Sequence, residues 1–325
     1  MQDRRRRRGR DTPPTLLVLR ALGLGDLLTA VPALRALADA HPEHRRLLAC
    51  PEWLEPVARL TGAVHAIVPV APLEPLPESV HHADVAVNLH GRGPQSTALL
   101  ACTRPRRLVA FEHRDLPSTA GNPRWLAGEH EVHRWCRLLR ETCVEADATR
   151  LDLDRPAVSV PPVARGATVL HPGASAPARR WPMDRWAAIA RAEQAKGHPV
   201  VLTGSPAERD IATRVATSAA LADEANMAGR TSVLELVGVV AAAACVVSGD
   251  TGIAHVATAV RTPSVVLFGP VPPSAWGPPR RPEHRVLWRR CVGDPHGTRA
   301  DPGLLAISVD DVLAELACAH RRPAA

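Results

Sequence analysis

Tyrosine is absent from this 325-residue chain, phenylalanine occurs twice, and aromatic residues make up 3% of the sequence. Modules that stack nucleobases on aromatic platforms need more rings than this, so nucleic acid is not an expected partner. Long apolar stretches are missing too. The longest, positions 236–247, is 12 residues, against roughly 18 for a helix that spans a bilayer. No apolar segment follows the arginine-rich start, so no secretory signal is read there. The seven cysteines (Cys50, Cys102, Cys136, Cys143, Cys245, Cys291 and Cys318) are odd in number, scattered and never spaced C-x-x-C, which argues against a disulfide framework and a zinc finger. A reducing, cytoplasmic location is expected. The G-x-S-x-G elbow of serine hydrolases and the G-K-[ST] of phosphate-binding loops are likewise missing.

What is present is ordinary globular composition, with 46% hydrophobic and 22% charged residues, in a length that suits about two domains. The formal charge of +7 is uneven: positions 1–11 hold six arginines against Asp3 and Asp11. This segment, 1–14, reads as a solvated, disordered arm; the other reading is a weak contact with an anionic membrane surface.

Short apolar runs alternate with helix-compatible stretches. Thr15–Leu19 reads as a buried strand, followed by Gly23-Leu-Gly25-Asp26 and then Leu27, Leu28, Val31, Leu34 and Leu37 at helical spacing. Further strands are expected near 46–50, 66–70, 85–89 and 107–111. The proline-rich segment 154–166 reads as a linker. Beyond it the alternation resumes, with strands at 167–170, 199–203, 245–248 and 264–268 between helices at 184–196, 207–219, 232–244 and 252–259. The expected organisation is an N-terminal domain over 15–153, a C-terminal domain over 167–305, and a last helix within 306–325 opened by the S-x-x-D pattern of Ser308 and Asp311. Both domains read as doubly wound α/β.

Three loops follow strands, where open α/β sheets bind ligands. In the first, a dinucleotide fingerprint needs glycine at position 28, which is Leu28, so a nicotinamide oxidoreductase is disfavoured. There Asp26 is either a helix cap or a carboxylate able to accept a proton. The second, His171 to Asp184, joins Ser175 with Arg179 and Arg180 ahead of a helix, suiting a phosphate or a solvated basic loop. The third, Ser248 to His255, places Asp250, Thr251, Gly252 and His255 at a helix start, either an anion cradle or an Asx turn on a core helix. His130-x-x-His133 and His81-His82-x-Asp84 lack the spacing of known metal motifs.

Taken in order, Gly25-Asp26-Leu-Leu-Thr-Ala-Val-Pro32, Val87-Asn-Leu-His-Gly91, His130-Glu-Val-His-Arg134, His171-Pro-Gly173 through Trp181-Pro182, and Ser248-Gly-Asp-Thr-Gly252-Ile-Ala-His255 resemble glycosyltransferase family 9, the ADP-heptose:lipopolysaccharide heptosyltransferases. The resemblance implies a GT-B fold, two Rossmann-like domains facing a cleft, with the last helix crossing back to the first domain. It implies an inverting, metal-independent transfer of a sugar, heptose from ADP-heptose, to a hydroxyl of a cell-envelope glycan, glycolipid or secreted small molecule. The donor is a co-substrate and no cofactor is expected. Asp26 matches the family's proposed general base. Gly25, Ser175, Arg179, Asp250, Thr251, Gly252 and His255 fall in donor-binding motifs, and Glu208 falls where a carboxylate meets the nucleotide ribose. A transferase using another nucleotide sugar, or a non-catalytic nucleotide-sugar binder, shares the same motifs.

Overall fold

A computed structural model describes residues 13–320. The arginine-rich arm and the end of the expected last segment therefore lie outside the described residues, apart from Pro13 and Pro14. Contacts divide the described residues into two units, one of 13–127 with 131–150 and one of 128–130 with 151–320.

The first unit runs β1 (Thr15–Leu19), α1 (Leu24–Thr29), α2 (Val31–Ala40), β2 (Arg45–Cys50), α3 (Glu55–Leu60), β3 (Ala66–Pro69), β4 (Val85–Asn88), α4 (Gln95–Cys102), β5 (Arg107–Val109) and α5 (Glu131–Arg140). Its five strands are parallel in the order β3-β2-β1-β4-β5. β1 is central, and Leu16 to Leu19 are buried, as a strand covered on both faces requires. The single helix expected after β1 is two. Pro32 has no N–H to donate and its ring crowds the preceding turn, so α1 ends at Thr29 and α2 starts afresh at Val31.

The second unit runs β6 (Thr168–His171), α6 (Met183–Ala195), β7 (Val200–Leu202), α7 (Arg209–Ser218), α8 (Val233–Ala242), β8 (Cys245–Gly249), α9 (Gly252–Ala259), β9 (Ser264–Phe268), α10 (Pro273–Trp276), β10 (His284–Trp288), α11 (Pro302–Leu305) and α12 (Val309–His320). Its parallel sheet has the order β10-β9-β8-β6-β7. The order reverses between β1 and β4 in one sheet and between β6 and β8 in the other, the two switch points where doubly wound sheets bind ligands. Segment 154–166 lies on this second unit, where Val158 Cγ2 would stand 2.4 Å from a side chain at Gly238 of α8.

The described part of the last helix packs within the second unit, where Val312, Leu316 and Ala319 of α12 join the core with Ile189, Ala190 and Val265. The segment leading to it is fastened on the same side, since Trp181 Nε1 donates to Ile307 O (3.1 Å) and Arg185 Nη1 to Leu305 O and Ile307 O (2.6 Å each). Among the described residues no helix is long and apolar enough to cross a membrane.

Candidate active site

At the first switch point the chain leaves β1 at Arg20, whose side chain is fully buried. Isolated burial of a guanidinium is very costly, and here every direction is answered. Its Nε donates to Asp26 O (2.9 Å), Nη1 to Leu89 O, and Nη2 to Thr29 Oγ1 (3.1 Å) and Glu131 Oε1 (3.0 Å). The same Nη2 is 3.5 Å from Asp26 Oδ1, and the guanidinium lies 5.0 Å from the centre of the Trp135 ring. Glu131 in turn accepts from Trp135 Nε1 (2.9 Å) and Arg134 Nη1, and Arg134 stacks 4.1 Å from the Trp125 ring centre. A buried Arg-Glu-Arg chain walled by indoles thus stands behind one carboxylate.

That carboxylate is Asp26, third residue of α1. It is not an N-cap; its Oδ2 reaches back to accept from the Gly23 amide at 3.2 Å. Its other oxygen faces Arg20, and about a quarter of the side chain, 28%, stays accessible. Burial raises its pKa above the ordinary aspartate value; Arg20 pulls it down, and Glu131 pushes it up again. Such a carboxylate is more basic than a surface aspartate. Gly25 lies within the same first turn. His90, just after β4, has its amide tied to Asn88 Oδ1 (2.9 Å) and a buried Nδ1 without a partner among the described residues. Burial, with Arg20 nearby, lowers its pKa to about 4, so it offers a neutral imidazole there.

At the second switch point β6 and β8 run side by side, His171 opposite Ser248, so their loops are neighbours. Arg179 crosses from one to the other: Nη2 donates to Asp250 O and lies 3.5 Å from Asp250 Oδ2. Its buried Nε has no hydrogen-bond partner among the described residues. Arg179 and Asp250, with Leu267, Gly269, Pro270 and Val271, line a small recess. α9 starts at Gly252 with Thr251 at its N-cap, whose side chain makes no cap bond, and the first-turn amides of a helix favour an anion. The Ser248 hydroxyl, buried, also lacks a partner among the described residues. His255, one turn into α9, packs edge-on to Trp276 with ring centres 6.0 Å apart.

Glu208 closes the far side of this loop set. Its Oε2 accepts from the Ser205 amide (2.8 Å) and lies 3.8 Å from His171 Nε2. His171 Nδ1 pairs with Thr203 Oγ1 at 3.0 Å, and burial lowers its pKa although Glu208 opposes the shift. Gly173 leaves room for this carboxylate: a Cβ there would stand 2.3 Å from Glu208 Cδ. Ser175 is exposed on the loop, whereas Arg180 Nε is spent on Ala174 O (2.8 Å).

The structure therefore gathers Arg179, Asp250, Thr251 and Gly252 on adjoining loops, sets Glu208 beside His171 and Gly173, and places Asp26 in the other unit. Arg20, Glu131 and His90 are functional candidates that sequence reasoning passed over as site residues. The available signal was a lone arginine closing an apolar strand, a position where burial demands partners.

Residues 99–293 match the family model described as glycosyltransferase family 9 (heptosyltransferase). A 120-residue stretch is 34% identical to lipopolysaccharide heptosyltransferase 2 of Escherichia coli K12, covering 36% of this chain and 34% of that protein. The match thus spans about a third of the length of that curated relative. Among solved structures, E. coli ADP-heptose lipopolysaccharide heptosyltransferase II superposes with a TM-score of 0.74 at 22% identity, covering 94% of this chain and 98% of that one. A family 9 glycosyltransferase from Veillonella parvula DSM 2008 gives 0.76 at 17% identity, covering 95% and 98%. These likenesses show the fold.

Proposed function

The chain belongs to glycosyltransferase family 9, and from that premise we propose that it transfers heptose from ADP-heptose to an acceptor hydroxyl, with inversion and without a metal in the reaction. The observation that carries the reading is Asp26, a partly accessible carboxylate of raised basicity held by Arg20 and the Gly23 amide at a switch point. Departure of ADP builds positive charge on the sugar and negative charge on the diphosphate, so a base is needed on one side and fixed donors on the other. Asp26 takes the proton of the acceptor hydroxyl. Arg179 and the amides at Thr251 and Gly252 receive the diphosphate, Arg179 also offsetting the charge of Asp250, and Glu208 accepts from the ribose hydroxyls. A single displacement of this kind inverts the anomeric centre.

The acceptor is a cell-envelope glycan or glycolipid, by analogy with the lipopolysaccharide of the E. coli relative, and the reaction belongs in the cytoplasm at the inner membrane face. The test of the donor is a thermal-shift panel of ADP, GDP, UDP, dTDP, NAD and ADP-heptose, since a ligand at 100 times its Kd stabilises by about 2.7 kcal/mol. Selective stabilisation by ADP and ADP-heptose is expected. A selective response to another diphosphate would overturn the heptose donor while leaving the family intact.

A further inference from the structure

At the opposite end of the second sheet, three side chains from separate elements meet. Glu193, near the end of α6, is fully buried, and His198 precedes β7 while His320 ends the described part of α12. Glu193 Oε2 lies 3.0 Å from His198 Nδ1 and 2.8 Å from His320 Nε2. Thr168 Oγ1 is 2.9 Å from the same oxygen and 3.3 Å from His320 Nε2. The two imidazoles are tilted by 38° with centres 4.4 Å apart. Lys196 takes the other carboxylate oxygen, Nζ to Oε1 being 3.1 Å.

Three groups thus converge on one oxygen that has two in-plane lone pairs. As a hydrogen-bond cluster this is crowded and fixes a proton on each imidazole. As a ligand set it is consistent: one carboxylate oxygen and two imidazole nitrogens lie within 4.8 Å of one another. Tetrahedral ligands at 2.0–2.1 Å from a zinc ion stand about 3.3 Å apart, close to the 3.0 and 2.8 Å that separate Glu193 Oε2 from the two nitrogens. The N2O donor set suits zinc and its borderline neighbours over calcium or magnesium. Both histidines keep some accessibility, which gives an ion a way in. The Lys196 and Thr168 contacts then serve as outer partners that orient the carboxylate.

We propose that Glu193, His198 and His320 bind one divalent transition-metal ion of the zinc class, fastening α12 to α6. This departs from the sequence expectation that no metal is bound, and it stands apart from the transfer chemistry. Thr168 opens β6 whereas His171 closes it, about 10 Å away at the usual strand rise.

The test uses the full chain, stripped of metal and titrated with Zn2+ alone by equilibrium dialysis, then with Co2+ read by visible absorption. One zinc per chain is expected, with affinity at least about 100-fold lower in His198→Gln and in His320→Gln. Glutamine keeps a hydrogen bond to Glu193 without ligating well, so the metal-free variants should melt near the wild type while zinc raises the Tm of the wild type only. Cobalt should give d–d bands without the thiolate charge-transfer band that the exposed Cys102, Cys143 and Cys291 would produce. Equal zinc uptake by wild type and variants, thiolate bands, or no stoichiometric uptake would each overturn the proposal.

Discussion

The Asp26 carboxylate is set by its neighbours. Arg20 fixes its carboxylate, and Glu131, 111 positions further along, keeps Arg20 from pinning it as a strong ion pair. A base works only when ionised, so activity is lost below its pKa. Because burial and Glu131 raise that value, the acidic limb of kcat/KM is expected above pH 3.8, the ordinary position. Glu131→Gln removes one of the raising charges and should move the limb to lower pH; a limb that stays put would assign it to another group. Asp26 was legible in the sequence because a carboxylate between a glycine turn and a helical pattern is a local signal. Arg20 was not, since its partners Leu89, Thr29 and Glu131 come together only in the fold.

The loops and caps act as units. Replacing Gly173 by alanine puts a methyl group onto the Glu208 carboxyl, which must swing away from His171 and the Ser205 amide. Gly173→Ala is expected to raise the Kd for ADP-heptose severalfold with little change in Tm, by calorimetric titration; unchanged affinity would remove Glu208 from the donor site. At α12 the anticipated capping pattern is present, Asp311 Oδ2 accepting from the Ser308 amide at 2.7 Å and Ser308 Oγ from the Asp311 amide at 3.1 Å. The bond to Arg289, then those to Ser308, hold the Asp311 carboxyl down to about 2. A depressed carboxyl stabilises the native state above its unfolded value and loses that contribution as pH falls through its folded value. Asp311→Ala should therefore cost about 1 kcal/mol at neutral pH and much less near pH 2, by thermal unfolding. Strand β10 escaped the sequence reading because His284 and Arg285 open it and its outer face is half exposed, so no apolar run marks it.

For the whole molecule, alternation of strand and helix made two doubly wound units readable, since continuous apolar runs are what parallel strands covered on both faces require. The packing of α12 was less readable. An amphipathic helix reports that it has a buried face, not which core receives it, and Val312 and Leu316 fit the second core beside Ile189 and Ala190. Site residues followed the same rule: motifs on one loop were visible, whereas pairs such as Arg179 with Asp250, 71 positions apart, needed the adjacency of β6 and β8. The proposed role of Asp26 as base for transfer from ADP-heptose is tested by ADP release on a lipopolysaccharide-core acceptor, wild type against Asp26→Asn. The asparagine can still accept from the Gly23 amide, so donor affinity should be unchanged while kcat falls by about 10²–10⁴-fold. Equal rates for the two proteins would exclude Asp26 as the base.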